Sequence, residues 1–450
     1  MTRHAALLLA CLLAGLAGSG SGVAHADDGA TLLPHPDEAW WLSGQVNLVG
    51  QAQPGFHSPY AGTNSFRSDD HAALSMVATV FAGYELTPYT AIVVAGESAG
   101  GGGLSDALGI AGFTNLDVVR NPSLGATPYL GRAFLDQIIP LSDARTAHDR
   151  DSLHILRSLP TRRIELRAGK LSTADVFDVN AIGSDSHLQF LNWAVDNNAA
   201  YDYAADTRGY SLGATVEYAE PRFAVRFGEL LMPSTANGID YDYDLGNARG
   251  ENLEVEVHES LAGRAGTVRL LGFENHADMG NYAEANAVAR IGQADVPDIT
   301  STRRKGRTKY GVGLNAEHEL TDDLRAFVRL GWADGKNEAF AYTEADNTLA
   351  LGGDLRGTAW GRAADKLGAA LVSSGLSQDH REYLALGGSG FLLGDGALSY
   401  GRETIAEAYY TARVYRGVFV AADVQLVVHP GYNVDRGPAE VGSLRVHVEL

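Results

Sequence analysis

The sequence predicts an all-β fold, an antiparallel β-barrel that crosses a membrane, on three observations. Apolar and charged residues alternate with period two in segments of about ten residues along the chain, the pattern of a strand with one apolar face. Beyond residue 26 no stretch approaches the ~18 uninterrupted apolar residues that a membrane helix needs. The one cysteine, Cys11, lies in an N-terminal apolar run, so the rest of the chain must be stable without disulfides.

The chain opens with Arg3, the apolar run "AALLLACLLAGLAG" and the small-residue site "AHA" at Ala24 to Ala26. This reads as a secretory signal peptide over residues 1–26, cut before Asp27. Acylation at Cys11 is the alternative, but it would leave a hydrophobic core shorter than the ~7 to 15 residues a signal requires. Residues 27–39 then form a periplasmic N-terminal segment and residues 40–450 one barrel domain, since no change of composition marks a second domain. Losing the signal removes one basic residue and no acidic one, so 34 basic side chains face 55 acidic ones, a net charge of −21. That balance argues against nucleic acid as a partner.

The strands are read in order. In "RRIELRAGK", Ile164, Leu166 and Ala168 alternate with Arg163, Glu165 and Arg167. In "NLEVEVHES", Leu253, Val255 and Val257 oppose Glu254, Glu256 and His258. "LRAFVRLGW" sets Leu324, Ala326, Val328, Leu330 and Trp332 against Arg325 and Arg329, "VFVAADVQLVVH" sets Val424 and Leu426 against Asp423 and Gln425, and the final "SLRVHVEL" repeats the pattern. Turn chemistry rich in Gly, Asp, Asn and Pro separates them, as in "ADGKN" and "HPGYNVDRGP".

A soluble sandwich hides its apolar face and wets its charges, whereas a transmembrane barrel shows the apolar face to lipid and keeps a polar interior. Strand length, the single continuous domain and aromatics near strand ends (Trp40, Trp41, Tyr310, Trp332, Tyr409, Tyr410) favour the barrel. The sandwich, as an exported binding protein, is the alternative. Two stretches break the pattern. Gly112 to Ala147, with "GRAFLDQIIPLSDAR", reads as an irregular or partly helical excursion, and "LQFLNWAVDNNAAYDY" has helical spacing. In a barrel such segments fold into the lumen or cap its mouth.

Chemical motifs are few. Gly96-Glu97-Ser98-Ala99-Gly100 fits the G-x-S-x-G nucleophile elbow. An elbow requires a helix next, and four glycines follow instead, each costing about 1 kcal/mol against Ala in a helix. The His380, Arg381, Glu382 cluster lacks metal-ligand spacing and reads as a polar loop. Glu254 and Glu256 lie two apart on one strand face, not across a cleft as glycoside hydrolysis demands. The sequence therefore predicts no enzyme, no metal and no cofactor.

Long stretches, in order from about Trp41 to the C-terminus, resemble the carbohydrate-selective porins of the outer membrane, the OprB-like family. They include "FHSPYAGTNS", "GGGLSDALGIAGFTN", "RAGKLSTADVFDVN", "LQFLNWAVDNNAAYDYAADTRGYSLG", "RAADKLGAALVSSGLSQDHREYLALGGSGFLLGDG" and "VQLVVHPGYNVDRGP". The resemblance implies sixteen antiparallel strands and passive diffusion of sugars across the outer membrane of a Gram-negative bacterium. The family usually ends in an aromatic residue and this chain ends in Leu450, which bears on insertion efficiency.

Sugar passage needs paired donors and acceptors for adjacent hydroxyls and an aromatic face for the C–H side of the ring. A guanidinium fork meets vicinal oxygens better than a lysine point charge does. The alternation places Arg163, Glu165, Arg167, Glu254, Glu256, Arg325 and Arg329 inside, and Trp193 lies in a non-strand segment able to turn inward; these eight are the expected pore-lining residues. For each charge the alternative is an interior ion pair that merely keeps the lumen hydrated and rigid. The expected partners are small sugars and outer-membrane lipid, with association into a homotrimer left open. A general, non-selective porin is the further alternative.

Overall fold

Sixteen antiparallel strands close into a barrel in the computed structural model, which describes residues 31–33, 35, 38–118, 124–340 and 343–450. The signal peptide expected over residues 1–26 lies outside the described residues. The strands are β1 (Trp40–Gln53), β2 (His71–Thr87), β3 (Thr90–Gly101), β4 (Tyr129–Pro140), β5 (Arg145–Ala147), β6 (Ser158–Pro160), β7 (Arg163–Leu171), β8 (Ser211–Glu220) and β9 (Phe223–Leu231). They continue with β10 (Arg249–Leu261), β11 (Arg264–Met279), β12 (Arg304–Glu319), β13 (Leu324–Ala333), β14 (Asn347–Gly357), β15 (Arg362–Gly375), β16 (Glu403–Tyr415), β17 (Val418–Val428) and β18 (Ala439–Glu449). β5 and β6 pair only with each other; the others follow one another around the wall, and β18 closes on β1 with Gln45 opposite Glu449 and Ala52 opposite Gly442. The Leu450 N–H donates to the Gly44 carbonyl at 2.7 Å and completes the seam.

The period-two pattern sets the two faces. On β10, Leu253 is 51% exposed on the outer face while Glu254, its neighbour, is 0% exposed inside. Register then places apolar residues side by side on the outside: Val255 opposite Leu270, Val257 opposite Val268, and Leu314 opposite Leu330. The outer band is bordered by exposed aromatics: Trp40, Tyr84 and Trp360 at one end, Tyr310 and Trp332 at the other. Trp40 and Tyr84 face each other across β1 and β2. Two of the aromatics expected in these girdles do not belong to them. Trp41 and Tyr409 are buried inside, because period two sends the residue next to an outward aromatic into the lumen.

The two rims differ. Tight connections such as 88–89, 221–222 and 416–417 gather at the end that also holds the start of β1 and Leu450. One of them, Ala262-Gly263, has φ of +54° and +79°, the left-handed pair that two-residue hairpins use. The other rim carries the long connections, among them 54–70, 102–128, 172–210 and 376–402. Outer-membrane barrels keep short turns on the periplasmic side and long loops outside, which orients this one.

The excursion expected from Gly112 to Ala147 is in part a wall strand: Tyr129–Pro140 forms β4 between β3 and β7. Its alternation was masked because apolar residues stand on both faces: Leu130, Leu135 and Ile139 point outward, while Phe134 and Ile138 share the inward face with Arg132 and Asp136. In the second stretch only Trp193–Asp196 is helical, capped by the Asn192 side chain, which accepts from the Ala194 N–H. Residues 102–118 and 172–210 fold into the lumen, where the Phe113 and Trp193 rings meet edge to face at 5.1 Å. His380 is not in a polar loop but in the helix Gln378–Ala385, buried, its Nδ1 3.1 Å from an Asp346 carboxylate oxygen.

Candidate functional site: a charged belt and two cavities in the lumen

Ser98 lies within β3, directly opposite Ala78, and its hydroxyl donates to the Ala126 carbonyl at 2.7 Å. A strand that runs on through Gly101 gives it none of the strand-to-helix strain of a nucleophile elbow.

A belt of lumen charges lies on seven wall strands, β4 and β7 to β12. Register brings Glu217 opposite Arg226, Arg226 opposite Glu254, and Glu256 opposite Arg269. The side chains join into a belt. Arg167 reaches Glu165 at 2.7 Å and Asp136 at 3.7 Å, and Arg163 reaches Glu165 and Glu217, each at 3.1 Å. Arg226 pairs with Glu217, with Glu254 at 2.8 Å and with Glu256 at 3.0 Å; Arg269 pairs with Glu256 at 2.7 Å and Glu317 at 3.0 Å. Four guanidinium groups thus interleave with six carboxylates, so forks and acceptors alternate along the wall at the spacing of adjacent strands, ~4.8 Å.

A cavity of about 610 Å³ opens against this belt and is lined by Arg163, Glu165, Arg167, Glu217, Arg226, Glu256 and Arg269. A second, of about 590 Å³, lies along β1 to β4 and is lined by Glu97, Tyr129, Arg132, Trp193, Tyr203, Arg208 and Tyr210. There the Glu97 carboxylate accepts from Tyr129, from Tyr210 at 2.9 Å and from Thr79 at 3.1 Å. Arg132 grips Asp175 with both arms of its fork, at 2.6 and 2.7 Å. The Arg208 guanidinium stacks 3.7 Å above the Tyr129 ring. Aromatic faces and hydroxyl-competent groups therefore share one cavity.

The loop groups at this cavity are electrostatically set. Burial by itself would push the His187 imidazole down, but Asp117, 3.4 Å away, overrides it and raises it to about 9. Burial likewise works to raise the Asp117 carboxyl, and His187, with hydrogen bonds from Asn47 and Ser186, holds it below the usual carboxylate range. Asp196 is pushed well up by burial.

Of the eight expected pore-lining residues, Arg163, Glu165, Arg167 and Glu256 come together at the belt cavity and Trp193 lines the other. Glu254, Arg325 and Arg329 line neither. Glu254 accepts from the Asp178 N–H at 2.8 Å as well as from Arg226. Arg325 forks onto Asp354 and also donates to the Ala181 carbonyl at 3.4 Å. Arg329, 0% exposed, pairs with Asp178 at 3.1 Å and donates to the Val195 carbonyl and the Ser184 hydroxyl. These three clamp loop 172–210 to the wall. Conversely, Arg226 and Arg269 escaped the sequence reading. Arg226 is legible in "FAVRFGELL", where Phe223, Val225 and Phe227 alternate with it; Arg269 shares its inward face with Leu271 and Phe273, so no charge alternation marks it.

A closed sixteen-stranded barrel with an apolar outer band, aromatic borders and a charged lumen is a porin of the Gram-negative outer membrane. The chain belongs to the family described as carbohydrate-selective porin, OprB family, whose profile matches residues 93–450. Among solved structures, the high-pH structure of Pseudomonas putida OprB is similar, with a TM-score of 0.69 at 14% identity over 92% of this chain and 94% of that one. Its low-pH structure gives 0.47 at 12% identity over 92% and 93%, and a trimer form of OmpT from Vibrio cholerae gives 0.45 at 11% over 92% and 100%. No curated protein sequence matches the chain.

Proposed function

We propose that sugars of monosaccharide size cross this porin by passive diffusion, without cofactor and without catalysis, along the belt cavity and the Trp193 cavity. The observation that carries the reading is the belt: alternating guanidinium forks and carboxylates offer donors and acceptors to vicinal hydroxyls. Arg163, Glu165, Arg167 and Glu256 are assigned to hydroxyl exchange, joined by Arg226 and Arg269. Trp193, with Tyr129 and Tyr210, supplies the apolar ring face. Glu254, Arg325 and Arg329 hold the inward loop that shapes the passage.

The test is planar-bilayer recording with added glucose. A sugar-preferring channel shows block of the ion current at millimolar sugar and weak ion selectivity. Strong cation selectivity with no sugar block would leave a general porin.

A further inference from the structure

Among the described residues the tight-turn rim carries one long connection, residues 141–162 between β4 and β7. Its base is closed by the Leu141 N–H donating to the Arg162 carbonyl at 2.9 Å, and the β5–β6 hairpin is extended by His148 N–H donating to the Arg157 carbonyl at 2.9 Å. The tip is stiffened by the Asp151 carboxylate, which accepts from the Leu153 and His154 N–H groups at 2.7 and 2.8 Å. The insertion is rooted at β4 and β7 but latched across β3, onto β1 and β2. Ile155, 1% exposed, fills a notch left by Gly83 of β2, where a Cβ would sit 1.6 Å from the Ile155 δ-methyl. Arg157 pairs with Glu85 at 3.0 Å, and Arg150 donates to the Glu38 carbonyl at 2.7 Å while lying over the Trp41 ring.

The latched insertion faces both cavities. Its tip, Asp151 to Leu153, lines the Trp193 cavity, and its stem, including Thr146, His148 and His154, lines the belt cavity; Asp175 lines both. We propose that residues 141–162 are a partition between the two cavities that sets the size limit for solutes on the periplasmic side, a selectivity element separate from the inward loops. The proposal rests on the channel reading and not on which solute passes. A partition built this way depends on its latch: the notch at Gly83 and the Arg157–Glu85 pair fix a segment whose own hairpin is only three residues a side, too short to be stable by itself.

Two variants test it. In one, residues 144–160 are replaced by a short glycine-serine turn, which keeps the closed base. In the other, Ile155→Ser with Arg157→Ala frees the latch and leaves every wall strand unchanged. Heat-modifiable migration checks assembly, single-channel conductance in potassium chloride reports the open area, and polyethylene glycols of graded size report the exclusion limit. Both variants are expected to raise conductance about two-fold, as a wider constriction would, and to admit longer glycols; trisaccharide should enter liposomes that carry them. Assembled latch variant with wild-type conductance and wild-type glycol cut-off would overturn the partition, whatever the deletion does. Wild-type liposomes impermeable to glucose would refute the sugar reading while leaving the glycol comparison intact.

Discussion

Arg329 and Asp178 form an ion pair at 3.1 Å that is closed to water, with side chains 0% and 2% exposed. It joins β13 to the inward loop 172–210. Burial pushes the Asp178 carboxyl up and the guanidinium pulls it back. Arg329→Ala leaves a buried carboxylate without its cation, a loss of about 3 to 5 kcal/mol, and frees the segment around Val195 and Ser184 that Arg329 also holds. The expected outcome is a lower unfolding temperature in detergent together with noisy, larger conductance. A variant with wild-type noise and only a weakened sugar block would make Arg329 a pore contact and not a clamp.

Arg226 is the hub of the belt, bound to Glu217, Glu254 and Glu256 at once. Arg226→Ala should weaken glucose block of the ion current about ten-fold, a loss of one charge-assisted bond of ~1.4 kcal/mol, and turn the channel towards cations because the carboxylates lose a partner. Reversal potentials across a salt gradient measure the second effect. An unchanged reversal potential would mean that the belt does not face the conducting path.

Neighbouring positions on β13 and β10 should behave oppositely. Val328 and Val255 face outward, and an arginine at either should cost about 2 to 4 kcal/mol at the bilayer midplane. Glu256→Gln, one residue from Val255 but on the lumen face, should assemble normally. The yield of folded barrel from unboiled gels decides, and equal yields for Val255→Arg and Glu256→Gln would mean the faces are misassigned.

The His187–Asp117 pair gives stability a pH window. His187 has a raised value in the folded state, so its contribution is fully present below about 6.5, its ordinary value, and is lost as pH rises through about 9. Asp117 is depressed, so its contribution is present above about 3.9 and is lost as pH falls below that. Thermal unfolding should therefore drop between pH 7 and pH 10 in the wild type. The drop should be smaller in His187→Gln, which has no proton to lose there. Parallel curves for the two proteins would remove this pair as the cause.

What the sequence revealed and what it hid follow from one physical distinction. Strands such as "NLEVEVHES" and "LRAFVRLGW" were legible because lipid on one side and water on the other demand opposite residue types. β4 was not, because its inner face mixes Phe134 and Ile138, packed against protein, with Arg132 and Asp136, so its two faces differ too little in residue type. The same holds at the site. Arg163, Glu165, Arg167 and Glu256 were found as charges on an inward face, but alternation cannot tell a charge that meets the cavity from one covered by a folded loop. That is why Arg329 and Glu254 looked alike to the eye and proved to be anchors. Beyond Trp193, the cavity built around Glu97, Arg132 and Tyr210 was not legible, since it forms only where wall residues of β3 and β4 meet a loop distant in sequence.

The seam between β1 and β18 has a consequence for how the molecule comes to exist. Every other wall contact joins strands that follow one another along the chain, β5 and β6 set aside, so it can form by local zippering from any starting hairpin. The seam joins positions some four hundred residues apart, so it can close only after the strands between them are in place. Until that step two strand edges stay unpaired, and an open edge is a template for the wrong neighbour. Assembly is then a fast propagation followed by a single slow event. The intermediate to look for is a nearly complete sheet, already curved, that lacks only its last row of hydrogen bonds.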